Sequence, residues 1–199
     1  MTTKIKTSEH LEEHELNKLL KYLYQNEQWT YYLFVRLGVS TALRYSDLSK
    51  ITWSMVLHQD RFIIKEKKTG KVREIPIQPE LSEKINMVYE KMDRPSQSDY
   101  LIPLHIRTIN KQIKLHAKRA GLKKVHLSSH SLRKTFGREV YRRNGESESS
   151  LVKLSLLFNH SSTAITRVYL SITKEEVQIF IRCRIFLSID KMTAQRHSF

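Results

Sequence analysis

Residues 61–77, Arg61-Phe62-Ile63-Ile64-Lys65-Glu66-Lys67-Lys68-Thr69-Gly70-Lys71-Val72-Arg73-Glu74-Ile75-Pro76-Ile77, are the stretch on which the fold turns. Arg61-Phe62-Ile63-Ile64-Lys65 and Val72-Arg73-Glu74-Ile75-Pro76-Ile77 are rich in residues that suit a pleated strand, and they flank the turn pair Thr69-Gly70. The pattern predicts an antiparallel hairpin with lysines along its tip, and Pro76, which cannot donate to a ladder, marks an edge.

Outward from the hairpin the periodicity becomes helical. Leu16, Leu19, Leu20 and Leu23 recur at helical spacing behind several acids, which predicts an amphipathic helix over 11–25. Further helices are expected over 29–42 and 44–53, then over 80–93 beyond the hairpin. Asp93-Arg94-Pro95-Ser96-Gln97-Ser98-Asp99 is a polar connector and a candidate mobile loop. The remainder reads as helices over 105–120, 130–143, 148–158, 162–170 and 173–187. The expected fold class is α+β, mostly α-helical with one small antiparallel hairpin, in a single domain over residues 1–199.

The chain has 199 residues, enough for one well-buried core. No apolar run approaches the roughly 20 residues of a membrane span, and the first residues do not resemble a secretory signal. Cys183 is the only cysteine, which excludes an internal disulfide and fits a cytoplasmic protein. The formal net charge is +15, and between Leu104 and Arg143 there are 12 Lys or Arg against one acid, Glu139. Such a block suits a polyanion, with double-stranded DNA the natural candidate and RNA or a plain solvated face the alternatives.

Several chemistries are set aside. The five glycines form no phosphate-cradling loop with its lysine. Gly38-Val39-Ser40-Thr41-Ala42 lacks the last glycine of a nucleophile elbow and lies in a helical pattern. The nine histidines show no H-E-x-x-H spacing, so no metal and no cofactor are expected. What remains is an ordered set: Thr41-Ala42-Leu43-Arg44-Tyr45-Ser46-Asp47-Leu48, then Lys68, His130-Ser131-Leu132-Arg133, His160 and Tyr169.

Taken singly, each of these residues has an ordinary reading as a solvated arginine, an edge lysine or a packing histidine or tyrosine. Together they suit metal-free attack on a phosphodiester. Fixed guanidinium forks stabilise the charge that builds on the non-bridging oxygens, and Arg44 and Arg133 fit that need. His130 stands three residues before Arg133, so on a helix both meet one face. His160 and Tyr169 are nine residues apart and would point to opposite faces of an unbroken helix. A break is therefore required, with Asn159 able to end one helix and Ser161 or Ser162 able to cap the next.

In order, spacing and flanks these boxes resemble the Arg, Lys, His-x-x-Arg, His and Tyr boxes of the tyrosine recombinases, the phage integrase family, over roughly residues 11–170. The family usually has glycine where Ala42 and Asn159 stand and glutamate where Asp47 stands; Asp47 retains an acid that could orient Arg44. The resemblance implies a site-specific recombinase in which Tyr169 forms a 3′-phosphotyrosine and releases a 5′-hydroxyl. It further implies that Arg44 and Arg133 clamp the phosphate, His130 assists proton transfer, His160 hydrogen-bonds the phosphate and Lys68 is the general acid. Lys67 and Lys71 are close enough in the hairpin to exchange roles with Lys68.

The implied partners are double-stranded DNA and further copies of the chain, as a tetramer on DNA, with no membrane and no small-molecule substrate. A type IB topoisomerase would run the same covalent chemistry, and a non-cleaving DNA-binding regulator would keep only the binding. The start of the chain matches the start of the family's catalytic domain, so a separate N-terminal clamping domain is not expected, whether this is a fragment or a short member. Val177, Phe180, Ile181, Ile185 and Phe186 would give the tail, 171–199, a helix that docks on a neighbour or caps its own core.

Overall fold

A computed structural model of the chain describes residues 8–123 and 126–172. The helix expected over 173–187, with Cys183, lies outside the described residues. Two compact units are present, one up to Ser150 and one from Leu151 onward.

In the first unit α1 (Glu13–Gln25) buries Leu19, Leu20 and Leu23, as their spacing requires, and the Glu15 carboxylate accepts the Glu12 backbone N–H to close the first turn. α2 (Trp29–Thr41) is apolar on most sides, with Leu33, Phe34, Val35 and Leu37 buried. A helix of that kind belongs in the middle, and α2 packs against α1, α3 (Tyr45–Leu48), α5 (Pro79–Lys91) and α7 (Ser129–Arg143).

Gly38 permits the closest of these approaches. A Cβ placed there would stand 2.6 Å from Leu132 Cδ1 and 2.9 Å from Leu132 Cβ, inside contact distance. Leu132 lies between His130 and Arg133 on α7, so the packing that needs a glycine also seats the H-x-x-R turn. Gly38→Ala is expected to lower stability by about 1–3 kcal/mol through overpacking, read from the denaturant midpoint.

The helix expected over 44–53 is instead two short ones, α3 and α4 (Trp53–Val56). The backbone donors that would have continued it are diverted: Trp53 N–H and Ser54 N–H go to the carbonyls of Asp99 and Gln97, at 3.1 and 2.9 Å. The same bonds overturn the expectation of a mobile loop over 93–99. That connector is a tied turn, fixed further by the Thr52–Tyr100 bridge and by Leu101 N–H on the Ile51 carbonyl.

The hairpin forms as expected. β1 (Arg61–Lys65) pairs antiparallel with β2 (Val72–Pro76), Arg61 opposite Pro76 and Lys65 opposite Val72, and Gly70 turns the tip with φ of 68°. Phe62, Ile64 and Ile75 face the core. α5 starts with Pro79 in its first turn, and α6 (Ile106–Arg119) buries Ile109, Ile113 and Ala117. α7 is capped by Ser128. α7 also holds the N-terminal segment: Lys134 Nζ donates to the Ser8 carbonyl at 2.8 Å and Leu11 N–H to Thr135 Oγ1 at 2.8 Å.

In the second unit α8 (Glu148–Phe158), whose residues from Leu151 belong to this unit, is followed by α9 (Thr163–Leu170). Asn159 takes the left-handed conformation, φ 54°, and the Ser162 hydroxyl accepts Ile165 N–H at 3.3 Å to start α9. The break needed between His160 and Tyr169 is made by the residues expected to make it. No helix among the described residues is long and apolar enough to cross a membrane.

Candidate active site

α2 ends at Ala42, whose φ of 55° lies in the left-handed region where glycine is at ease. The reversal leaves Arg44 with an extended backbone at the N-cap of α3. The Ala42 carbonyl exposed by the same reversal accepts Arg133 Nη1, so the bend after α2 also holds the arginine of α7. Only 3% of Arg133 is exposed, which makes it a group fixed in place before any ligand arrives.

Arg44, His130 and Arg133 line one pocket of about 560 Å³, with Lys50 and Lys67 also in its wall and no carboxylate among the lining residues. His130 is open to solvent by area but stands within this concave wall. That enclosure comes first, and the charges of Arg133, Arg44, Lys134 and Lys68 follow, in holding its pKa below the ordinary histidine value. His130 is therefore biased toward the neutral form, in which one ring nitrogen accepts a proton.

Lys68 sits at the hairpin tip, exposed, and its charge reaches His130, while its neighbour Lys67 is the tip lysine in the pocket wall. Asp47 is fully buried. Its Oδ1 accepts the Lys67 backbone N–H at 2.8 Å, which pins the tip to α3. The orienting acid expected for Arg44 was Asp47, but the acid paired with Arg44 is Glu66, whose Oε2 lies 3.2 Å from Arg44 Nη1. Spacing within the arginine box favoured Asp47, whereas Glu66 comes from the hairpin, 22 residues further along the chain.

In the second unit His160 and Tyr169 meet ring to ring, with centroids 5.2 Å apart and the planes steeply inclined. Phe158 packs edge-on against Tyr169 at 5.5 Å. His160 Nδ1 and the Thr166 hydroxyl share a hydrogen bond of 2.9 Å, which orients the imidazole. The six expected site residues thus fall into two groups: Arg44, Lys68, His130 and Arg133 in the first unit, His160 and Tyr169 in the second.

A family model described as the phage integrase family matches residues 9–176. The probable integrase/recombinase YoeC of Bacillus subtilis (strain 168) is 30% identical over 169 residues, covering 81% of this chain and 87% of that protein. Among solved structures the XerA recombinase matches with a TM-score of 0.67 at 20% identity, over 92% of this chain and 66% of that one. The XerH site-specific recombinase bound to its palindromic difH substrate, a post-cleavage complex, matches with a TM-score of 0.64 at 19% identity, over 88% and 53%. This chain spans between half and two thirds of the length of those two structures, and they establish its fold. The matched span and the 30% identical relative establish more than the fold: the chain belongs to the phage integrase family.

Proposed function

We propose that the chain cleaves and rejoins double-stranded DNA through Tyr169, with no metal and no cofactor in the chemical steps. The phenolic oxygen attacks the scissile phosphorus, the bond to the 5′-oxygen breaks, and that oxygen leaves as a hydroxyl after taking a proton from Lys68. A 5′-hydroxyl from another strand reverses the step on the phosphotyrosine, so bond energy is conserved and no external energy source is needed. Arg44 and Arg133 hold the non-bridging oxygens, neutral His130 handles the phenolic proton, and His160 hydrogen-bonds the phosphate.

The observation that carries this reading is the pocket itself. Four cationic side chains and a neutral-biased histidine surround a space free of carboxylates, which suits a phosphodiester and repels no part of it. The experiment is incubation with nicked duplex and denaturing electrophoresis. A DNA adduct that survives denaturant is expected, and its absence at saturating protein would defeat the reading.

A second feature extends the contact along the duplex. Arg107, Lys111, Lys114 and Lys118 of α6 are all exposed and stand at i, i+4, i+7 and i+11, one face of the helix. The stripe begins one residue beyond Ile106, a pocket residue, and spans about 16 Å at 1.5 Å per residue. Lys111→Ala with Lys114→Ala is expected to reduce the slope of log affinity against log salt by about 2, through two fewer released counterions, and to leave the cleavage rate at saturating DNA intact. An unchanged slope would take the stripe off the DNA.

Exchange between two duplexes cuts four strands, which calls for four copies of the chain on the DNA. In this reading residues 11–170 are the catalytic core, and the protein acts in the cytoplasm where its substrate lies.

A further inference from the structure

Glu66 is the most deeply buried carboxylate beside the pocket after Asp47, with 3% of its surface exposed. It continues the inward alternation of Phe62 and Ile64, so a charge occupies a position that the strand pattern reserves for an apolar side chain. Three donors meet it. Arg73 Nη1 reaches Oε1 at 2.8 Å, while Oε2 accepts the Thr69 hydroxyl at 2.8 Å and Arg44 Nη1 at 3.2 Å. Burial pushes the carboxyl pKa up, but the Arg73 and Thr69 hydrogen bonds and the charges of Arg73 and Arg44 outweigh it, and the group stays ionised.

The hairpin does not need this group to hold together. Its ladder is complete from Arg61 to Pro76, and Phe62, Ile64 and Ile75 already anchor it to the core. A buried acid shared by two guanidiniums is a costly way to add stability. It is a good way to fix direction, and the contacts are reciprocal: Asp47 on α3 grips the hairpin backbone at Lys67, and Glu66 on the hairpin grips Arg44 at the start of α3.

We infer that Glu66 is a positioning residue for Arg44, aligning its guanidinium toward the pocket and locking it in register with the lysine tip of the hairpin. Glu66 touches no reacting atom and acts through the arginine. The carboxylate is required, because the amide nitrogen of a glutamine would face one of the two guanidiniums and displace it. This inference rests on the cleavage chemistry proposed above.

The test compares adduct formation by the full chain on three nicked duplexes: one with an ordinary scissile phosphate, one with a methylphosphonate there, and one with sulfur as the bridging 5′ atom. A methylphosphonate is neutral and needs less cationic clamping; the sulfur leaving group needs no general acid. Glu66→Gln is expected to cleave the ordinary duplex about 10- to 100-fold more slowly, less than the full loss of a transition-state donor. DNA affinity should stay within about twofold, since the loss is in the chemical step. On the methylphosphonate the deficit should shrink severalfold, as it should for Arg44→Ala, and sulfur should not relieve it.

If the wild-type chain forms no adduct, or Arg44→Ala is unimpaired, the proposed function fails. With those controls behaving, a wild-type rate for Glu66→Gln, or a deficit relieved by sulfur alone, overturns the inference. Should Glu66→Gln unfold, Glu66→Asp replaces it, keeping the charge one methylene short of Arg44, and a milder deficit with the same methylphosphonate dependence is expected. Unfolding of both variants would make Glu66 a structural residue and overturn the inference.

Discussion

Tyr169→Phe should bind duplex DNA as the wild-type chain does and form no covalent adduct, with turnover reduced by about 10⁴-fold or more, the scale of losing a nucleophile. The substitution removes one hydroxyl and keeps the ring that packs against Phe158 and His160, so the fold of α9 is preserved. Denaturing electrophoresis reads the adduct and a gel shift reads binding. An adduct that persists would move the nucleophile to another tyrosine. Tyr45, which lines the cationic pocket, is poorly suited, because burial raises its pKa and its hydroxyl already donates to the Leu104 carbonyl.

Lys68→Ala should cost about 10²- to 10⁴-fold in cleavage, the usual range for losing a general acid. A leaving alkoxide is a strong base, akin to hydroxide from water of pKa about 15.7, and needs a proton as its bond breaks. A thiol of pKa about 8.5 needs none. Replacing the bridging 5′-oxygen by sulfur should therefore restore much of the Lys68→Ala rate and little of that of Arg44→Ala or Arg133→Ala, whose proposed action is on the non-bridging oxygens. The placement of Lys67 in the pocket wall sharpens the comparison. If Lys67→Ala or Lys71→Ala is rescued by sulfur and Lys68→Ala is not, proton donation belongs to that neighbour.

What could be read from sequence was mostly local. The hairpin follows from two β-rich runs around Thr69-Gly70, while its register, on which the choice among Lys67, Lys68 and Lys71 rests, came from the structure. The break before α9 follows from Asn159 and the serines, because left-handed tolerance and N-capping are properties of single residues. The left-handed bend at Ala42 gives a physical reason for the glycine that relatives usually carry there. The failures came where distant segments intervene. A helix over 44–53 satisfies its own periodicity, but it loses its donors to carbonyls at 97 and 99, which no local pattern reveals.

Glu66 is the instructive omission in the site. Its signal was present, an acid on the inward side of an alternating strand, but its meaning depends on Arg44, 22 residues away. Arg73 was passed over for the same reason: it reads as an ordinary strand arginine until Glu66 is seen to bind it.

The inward row Phe62, Ile64, Glu66 has a consequence for how the chain avoids misfolding. A strand that slips by one residue turns its whole inner row outward, and in most sheets hydrophobicity alone penalises the error. Here the same slip would also strand Arg44 and Arg73 without their shared carboxylate and carry Glu66 away from Thr69. Strand pairing is proofread twice, once by solvent and once by charge. A mispaired hairpin would lose the arginine cluster together with its apolar anchorage, so few copies should persist as well-folded but chemically misaligned protein.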